Sequence, residues 1–253
     1  QITIWGPASG DQACGENGLG RMLEPEQLQH ALQGFFEPKW FDGKKVLITA
    51  GPTYEAIDAV RGIINLSSGK MGYAIANAAS NAGATVTLIA GPVHLPKPSV
   101  QKFISITSAA QMLAAVKKEV SDCDIFISVA AVADYRPQTY QPQKIKKANQ
   151  PLTLELVPNP DILHYVAHLK KPPFCVGFAA ETEKLDQYAQ KKRQQKRLPL
   201  IVANLAQQTM GADESTLILF DDDGKHVLPQ ASKTELARQL IKHIAQLFEK
   251  QNT

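Results

Sequence analysis

The sequence predicts an α/β fold, a doubly wound and mostly parallel sheet with a C-terminal hairpin and helix. Three observations predict it. Short β-branched runs such as Lys44–Ala50 (KKVLITA) alternate with segments of helical period. The segment from about Gly69 to Asn81 carries Ala74, Ala76, Ala78 and Ala79, small enough to lie close against a sheet, before Gly83 stops it. Near the end, Thr216–Phe220 and Lys225–Leu228 read as a hairpin across Asp221–Gly224.

The elements follow in order. Residues 1–43 are rich in Gly, Pro and Gln and hold one expected helix, Pro25–Phe36. After the Lys44–Ala50 strand and a long loop comes the Gly69–Asn81 helix, then strands at Ala84–Ala90 and Lys102–Thr107. Ser108 is placed to cap a helix running to about Val120. Asp124–Ala130 is a further strand, Leu152–Val157 another, and Asp161–Leu169 a helix. Phe174–Ala180, Lys184–Arg197 and Leu200–Ala203 read as strand, helix and strand, and Lys233–Phe248 as the last helix. A sheet of this kind binds ligands beyond the carboxyl ends of its strands. That points to the loops after Ala50, Ala130, Ala180 and Ala203.

Composition narrows the function. The 253 residues are 44% hydrophobic and 20% charged, which suits a soluble globular protein with a full core. A net charge of +3 is too weak to argue for nucleic acid and suits a small anionic substrate as well. No apolar stretch is long enough to span a membrane. The start, QITIWGPASG, lacks the regions of a signal peptide and an initiator Met, so the chain is expected to be part of a longer protein. Cys14, Cys123 and Cys175 form no CxxC pair or metal-ligand spacing, and three cysteines in this length suggest a reducing, cytoplasmic setting.

Several residues carry chemistry by type and position. Ser67–Gly72 (SSGKMG) opens a helix, and amides bared by Gly69 and Gly72, with the Ser67 hydroxyl beside them, suit a phosphate. The spacing is neither GxGxxG nor Walker A, and a glycine-tolerant turn before a capped helix would look similar. Asn65 offers an uncharged carboxamide able to donate to a carbonyl and accept from an amine, although Asn also serves turns. Asp134 follows small residues at a strand end and suits a ligand hydroxyl, Mg²⁺ or a cap. Arg136–Gln150 has Pro137, Pro142 and the KIKK run, so a mobile surface loop with a solvated charge patch is expected. Phe178 ends a strand, where it could stack on a base or fill the core. Lys192 and Lys196 share a helix face and can grip a triphosphate, or belong to an ordinary basic surface.

The run GPTYEAID–VR–N–SSGKMG over residues 51–72 resembles the signature of phosphopantothenate–cysteine ligases. The likeness continues through AAVADYR (130–136), KIKK (144–147), NPDIL (159–163), GFAAET (177–182) and IVAN (201–204), covering about residues 44–250. Ile64 stands where the family often has Ser or Thr. In bacteria this ligase is usually the C-terminal half of a bifunctional protein whose other half is a decarboxylase. DQACGENGLGRM (11–22) resembles the end of that half, with Cys14 in the place of its proton donor. The resemblance thus implies a decarboxylase remnant and linker at 1–43 and a Rossmann-like ligase domain at 44–253. No flavin is expected in this piece.

The resemblance also implies roles. Asn65 turns over an activated intermediate, and Lys144 closes on the nucleotide's phosphates. Gly51, Ser67, Gly69, Gly72 and Asn204 belong to the nucleotide site, and Ser128, Val129 and Ala130 border its base. Ala130, Ala131 and Asp134 lie by the pantothenate, with Asp134 also near the nucleotide and Mg²⁺. Pro160, Asp161, Ile162 and Leu163 border CTP, Phe178 contacts the base, and Lys192 and Lys196 bind the triphosphate. Arg61 reaches substrate across a homodimer interface. The expected reaction joins 4′-phosphopantothenate to L-cysteine at the expense of CTP. CTP rather than ATP follows from the bacterial arrangement alone. Two other readings stand beside it. A nicotinamide dehydrogenase would need an acidic residue where the second strand ends in Gly91-Pro92, and a binding module would have no need of Asn65 with Lys144.

Overall fold

The computed structural model describes residues 2, 4–12, 15–147, 149–181, 183–205 and 214–252. They form two compact units, residues 1–39 and 40–253. In the first, β1 (Ala8–Asp11) and β2 (Asn17–Arg21) pair antiparallel and α1 (Pro25–Phe36) follows, in the range its sequence predicted. Trp5 packs edge-on against Phe35, ring centroids 5.6 Å apart. Cys14 lies outside the described residues.

The second unit runs β3 (Lys45–Ala50), β4 (Tyr54–Ala56), β5 (Gly62–Ile64), α2 (Lys70–Asn81), β6 (Thr85–Ala90), β7 (Lys102–Ser105), α3 (Ala109–Glu119) and β8 (Ile125–Ser128). It continues with β9 (Tyr135–Pro137), β10 (Leu156–Pro158), α4 (Ile162–Ala167), β11 (Phe174–Glu181), α5 (Leu185–Lys196), β12 (Leu200–Leu205), β13 (Glu214–Phe220), β14 (Lys225–Ser232) and α6 (Lys233–Asn252). The unit begins at Trp40, so the segment 40–43 belongs to it and not to the N-terminal piece. The reason is Phe41, wholly buried in the core with its N–H donating to the Ala82 carbonyl at 2.9 Å.

One eight-stranded sheet has the order β14-β13-β12-β11-β8-β3-β6-β7. β7, β6, β3, β8, β11 and β12 run parallel, while β13 and β14 add the expected hairpin antiparallel at the edge. Numbered along the chain, the parallel strands read 3-2-1-4-5-6 across the sheet, so strand order reverses between β3 and β8.

Side-chain alternation sets the layers. Val46, Ile48 and Ala50 face one side with Ile75, Ala76 and Ala79 of α2 and Leu240 and Ile244 of α6. Leu47 and Phe126 face the other side with Met112 and Val116 of α3 and the buried residues of α4 and α5. Burying each of the larger side chains stabilises the fold by about 1.5–3 kcal/mol. Ser108 caps α3 as predicted: its hydroxyl accepts from the Gln111 amide, and the Gln111 side chain accepts from the Ser108 amide. Ser108→Ala is expected to cost about 1 kcal/mol and lower the melting temperature by about 2–4 °C in thermal unfolding.

Two expectations need correction. The predicted strand Leu152–Val157 shrinks to β10, which pairs with β9 away from the main sheet. Its alternating leucines have no covering layer here, and Leu152, Leu154 and Leu156 stay exposed. The Arg136–Gln150 segment, expected to be a mobile surface loop, is fastened in its middle. The Ile145 amide donates to the Asp58 carboxylate at 3.0 Å, and Gln141 bridges to Asp58. A hairpin of β4 and β5 supplies that anchor; its strands are too short to show periodicity in the sequence. No described helix is long and apolar enough to cross a membrane.

Candidate functional site

The loops leaving β3 and β8 begin side by side, because the order reversal makes those strands neighbours. Backbone hydrogen bonds lace them together: the Ala131 amide donates to Gly51 at 2.9 Å and the Thr53 amide to Ala131 at 3.3 Å. The Thr53 hydroxyl, fully buried, accepts from the Ala133 amide at 3.0 Å. The result is a fixed floor of small residues.

Above it lies a cavity of about 600 Å³. Gly51, Ser67, Gly69 and Gly72 form one wall, Val129, Ala130 and Ala131 the floor, and Phe178, Lys192 and Asn204 the far side. Gly69 has φ 75°, and a Cβ at Gly72 would lie 2.5 Å from the Ala50 Cβ. Glycine at both positions therefore brings the start of α2 onto the end of β3. The first turn of α2 presents amides that have no acceptor within the helix. Ser67 and Ser68 accept only long bonds from the Gly69 and Lys70 amides, at 3.4 and 3.5 Å. Asn65 lines the same cavity. Its amide donates to the Ala131 and Val132 carbonyls, each at 3.2 Å, which holds the carboxamide over the floor.

A second cavity of about 280 Å³ adjoins the first, and Ala130, Val132, Phe178 and Lys192 line both. Its wall holds Ser128, Asp134, Pro160, Asp161, Ile162, Leu163 and Lys196. Lys192 donates to the Phe178 carbonyl at 3.0 Å, and Lys196 pairs with Asp161 at 2.6 Å with only 17% of its side chain exposed. These two lysines therefore turn into the cavity wall, unlike a solvated basic surface. Asp161 caps α4 by accepting from the His164 amide at 2.9 Å. Burial pushes its carboxyl up, but the Lys196 and His164 hydrogen bonds outweigh this and hold it below the ordinary carboxylate value. Asn159 steadies the same corner, donating to the Ala133 carbonyl at 2.9 Å.

Two predicted residues line neither cavity. Lys144 is exposed on its loop. Arg61 grips Asp58, whose side chain is fully buried, and donates to the Ile145 carbonyl at 2.8 Å. That guanidinium, with help from three backbone amides, holds the Asp58 carboxyl far below the usual range. Arg61 thus ties the β4–β5 hairpin to the residue after Lys144. Sequence reasoning missed Lys70, Ser215 and Lys233, all in the larger cavity wall. Lys233 is 9% exposed at the start of α6, where the sequence shows only a helix beginning. Nothing local could have marked it.

The family profile described as "DNA/pantothenate metabolism flavoprotein C-terminal domain" matches residues 41–248. The chain belongs to this family. It is 53% identical over 239 residues to the coenzyme A biosynthesis bifunctional protein CoaBC of Vibrio cholerae, covering 92% of this chain and 60% of that protein. With the protein of the same name from Escherichia coli it shares 47% identity, over 99% of this chain and 64% of the relative. The chain therefore spans less than two thirds of the length of these relatives. Among solved structures, the C-terminal domain of a CoaBC protein superposes with a TM-score of 0.73 at 39% identity, over 84% of this chain and 99% of that domain. The family read from the motifs and the doubly wound fold read from the alternation of strands and helices are both borne out.

Proposed function

We propose that this chain is a phosphopantothenate–cysteine ligase, joining 4′-phosphopantothenate to L-cysteine with CTP as the activating nucleotide. The observation that carries the proposal is the pair of adjoining cavities, with Asn65 and the amides of α2 in one and Lys192 and Lys196 in the other. Membership of the family and likeness to coenzyme A biosynthesis proteins support it.

Amide formation from a carboxylate is uphill in water, so the acid must be activated. In the proposed first step the pantothenate carboxylate attacks the α-phosphorus of CTP, forming an acyl-cytidylate and releasing pyrophosphate. Lys192 and Lys196 offset the triphosphate charge, Phe178 and the Ser128–Ala130 floor take the base, and Lys144 closes from its loop. In the second step the cysteine amine attacks the acyl carbon and CMP leaves, with Asn65 donating to the acyl oxygen. Mg²⁺ needs one or two carboxylates beside substrate phosphates, and Asp134, exposed in the smaller cavity, fits that requirement. When bound, the ion supplies charge neutralisation of the phosphates.

A homodimer is part of the proposal, and the exposed row Leu152, Leu154 and Leu156 supports it as a face for the partner to cover. Residues 1–39 are proposed to end a decarboxylase half in the longer protein. Cys123 and Cys175 are free, which suits a reducing cytoplasm, and burial pushes both thiols up to about 12, which keeps them unreactive.

The test is pyrophosphate release from CTP and Mg²⁺ with 4′-phosphopantothenate, with and without cysteine. Release that depends on phosphopantothenate supports the ligase, and no release with CTP or ATP overturns it. Lys196→Ala is expected to raise the KM for CTP by about tenfold or more, since hydrogen bonds to charged groups contribute about 1.5–3 kcal/mol. The variant also changes acid stability. A depressed folded value means Asp161 contributes stability above the unfolded carboxylate value of about 3.9, lost as pH falls through the lower folded one. Without Lys196 the folded value rises toward the unfolded one, so less of this stability exists above about 3.9, readable as an acid-unfolding midpoint shifted upward.

A further inference from the structure

At the end of the sheet opposite both cavities, the β13–β14 turn meets α6. Phe220 ends β13 beside Ile201, in the first part of β12, whereas Asn204 near the other end of β12 lines the larger cavity. Asp221 follows Phe220, and its side chain is 1% exposed. Its Oδ1 accepts from the Asp223 and Gly224 amides at 2.9 and 3.1 Å, so the turn fixes the plane of the carboxylate. Two imidazoles converge on it. His226 Nε2 lies 3.1 Å from Oδ1, and His243 Nε2, from α6, lies 2.7 Å from Oδ2. The three ligand atoms all lie within 4.8 Å of one another. A cleft lined by His226, His243 and Asp223 opens beside them, and Lys250 on its rim pairs with Asp223 at 2.6 Å.

We propose that Asp221, His226 and His243 form a binding site for a divalent transition-metal ion of the zinc class, separate from the ligase site. Two imidazoles and one carboxylate are a donor set that zinc takes readily, leaving a fourth position for water. Tetrahedral ligation puts neighbouring ligand atoms about 3.4 Å apart. The present carboxylate contacts of 2.7 and 3.1 Å must widen by fractions of an ångström, and the two imidazole nitrogens, within 4.8 Å of each other, must settle at the same spacing. Each neutral imidazole then carries its proton on Nδ1, and the side chains, 37% and 18% exposed, leave water within reach to accept from it. The buried carboxylate supplies the charge, and the two backbone amides that donate to it keep it turned toward the imidazoles. A bound ion would staple the edge hairpin to the C-terminal helix.

The test titrates zinc alone into the metal-free full chain in chelator-free buffer, by calorimetry and by thermal unfolding. One equivalent is expected to bind. Zinc at one hundred times the Kd is expected to raise the melting temperature by roughly 5–10 °C. The double variant His226→Gln, His243→Gln, which keeps the turn and its carboxylate, is expected to weaken binding at least tenfold. The double variant His164→Gln, His168→Gln, which removes the stacked histidine pair of α4, is expected to bind as the parent does. No binding up to about 1 mM zinc, or equal binding by the first double variant, overturns the proposal. Neither outcome bears on pyrophosphate release, so the ligase reading stands or falls separately.

Discussion

Asn65→Ala is expected to abolish amide product almost completely while sparing the first half of the reaction. Removal of a single preorganised donor to a developing oxyanion typically costs about 10²–10³ in kcat. The structure gives Asn65 a second task, because its amide holds the Ala131 and Val132 carbonyls at the cavity floor. Those contacts are long and the residue is exposed, so the folded state should survive its loss. Melting within about 2 °C of the parent, with phosphopantothenate-dependent pyrophosphate release retained and phosphopantothenoylcysteine lost, is the expected pattern. Loss of both products together would assign Asn65 to nucleotide activation or to shape alone.

The largest effect on the scaffold is expected from Gly91→Ala. A Cβ there would sit 1.7 Å from the Pro52 carbonyl oxygen and 2.8 Å from its carbon. Both are backbone atoms, and neither can swing aside as a side chain would. Pro52 is itself bridged to Ala131, and the Gly91 amide donates to Ala50 at 3.0 Å. Relieving the clash must therefore move the cavity floor. Overpacking of this kind costs about 1–3 kcal/mol or more. For a chain of this size that means a melting temperature lower by roughly 3–10 °C, measured by calorimetry. Activity should fall further than stability explains, because the displaced floor carries Ala130 and Ala131. An unchanged melting temperature would show that the loop yields freely and that the close approach has no energetic weight.

Gly91 illustrates how much the sequence could say. Ending the second strand in Gly-Pro was already an argument against a ribose-binding acid, and the strand order 3-2-1-4-5-6 makes that argument matter, since dinucleotide-binding sheets share this order. The reason for the glycine, the distant Pro52 carbonyl pressing on it, is absent from any local pattern. Lys192 and Lys196 show the opposite case. Their four-residue spacing put both on one helix face, and the structure turns that face into the smaller cavity. Arg61 lies between these extremes. Its motif was visible, yet its grip on Asp58 and Ile145 joins segments more than eighty residues apart.

Local residue order encodes the elements and the family. Alternation and helical period specify the strands and helices, glycines specify where α2 can approach β3, and the ordered motifs specify the family. Which loops become neighbours is set only by the packed fold. The reversal between β3 and β8 brings Gly51, Asn65 and Ala131 together, α6 carries the buried Lys233 into the same wall, and the edge hairpin sets Asp221 against His243. The physical reason is that strand order and helix placement minimise the free energy of the whole packed sheet. No short stretch of chain contains that sum.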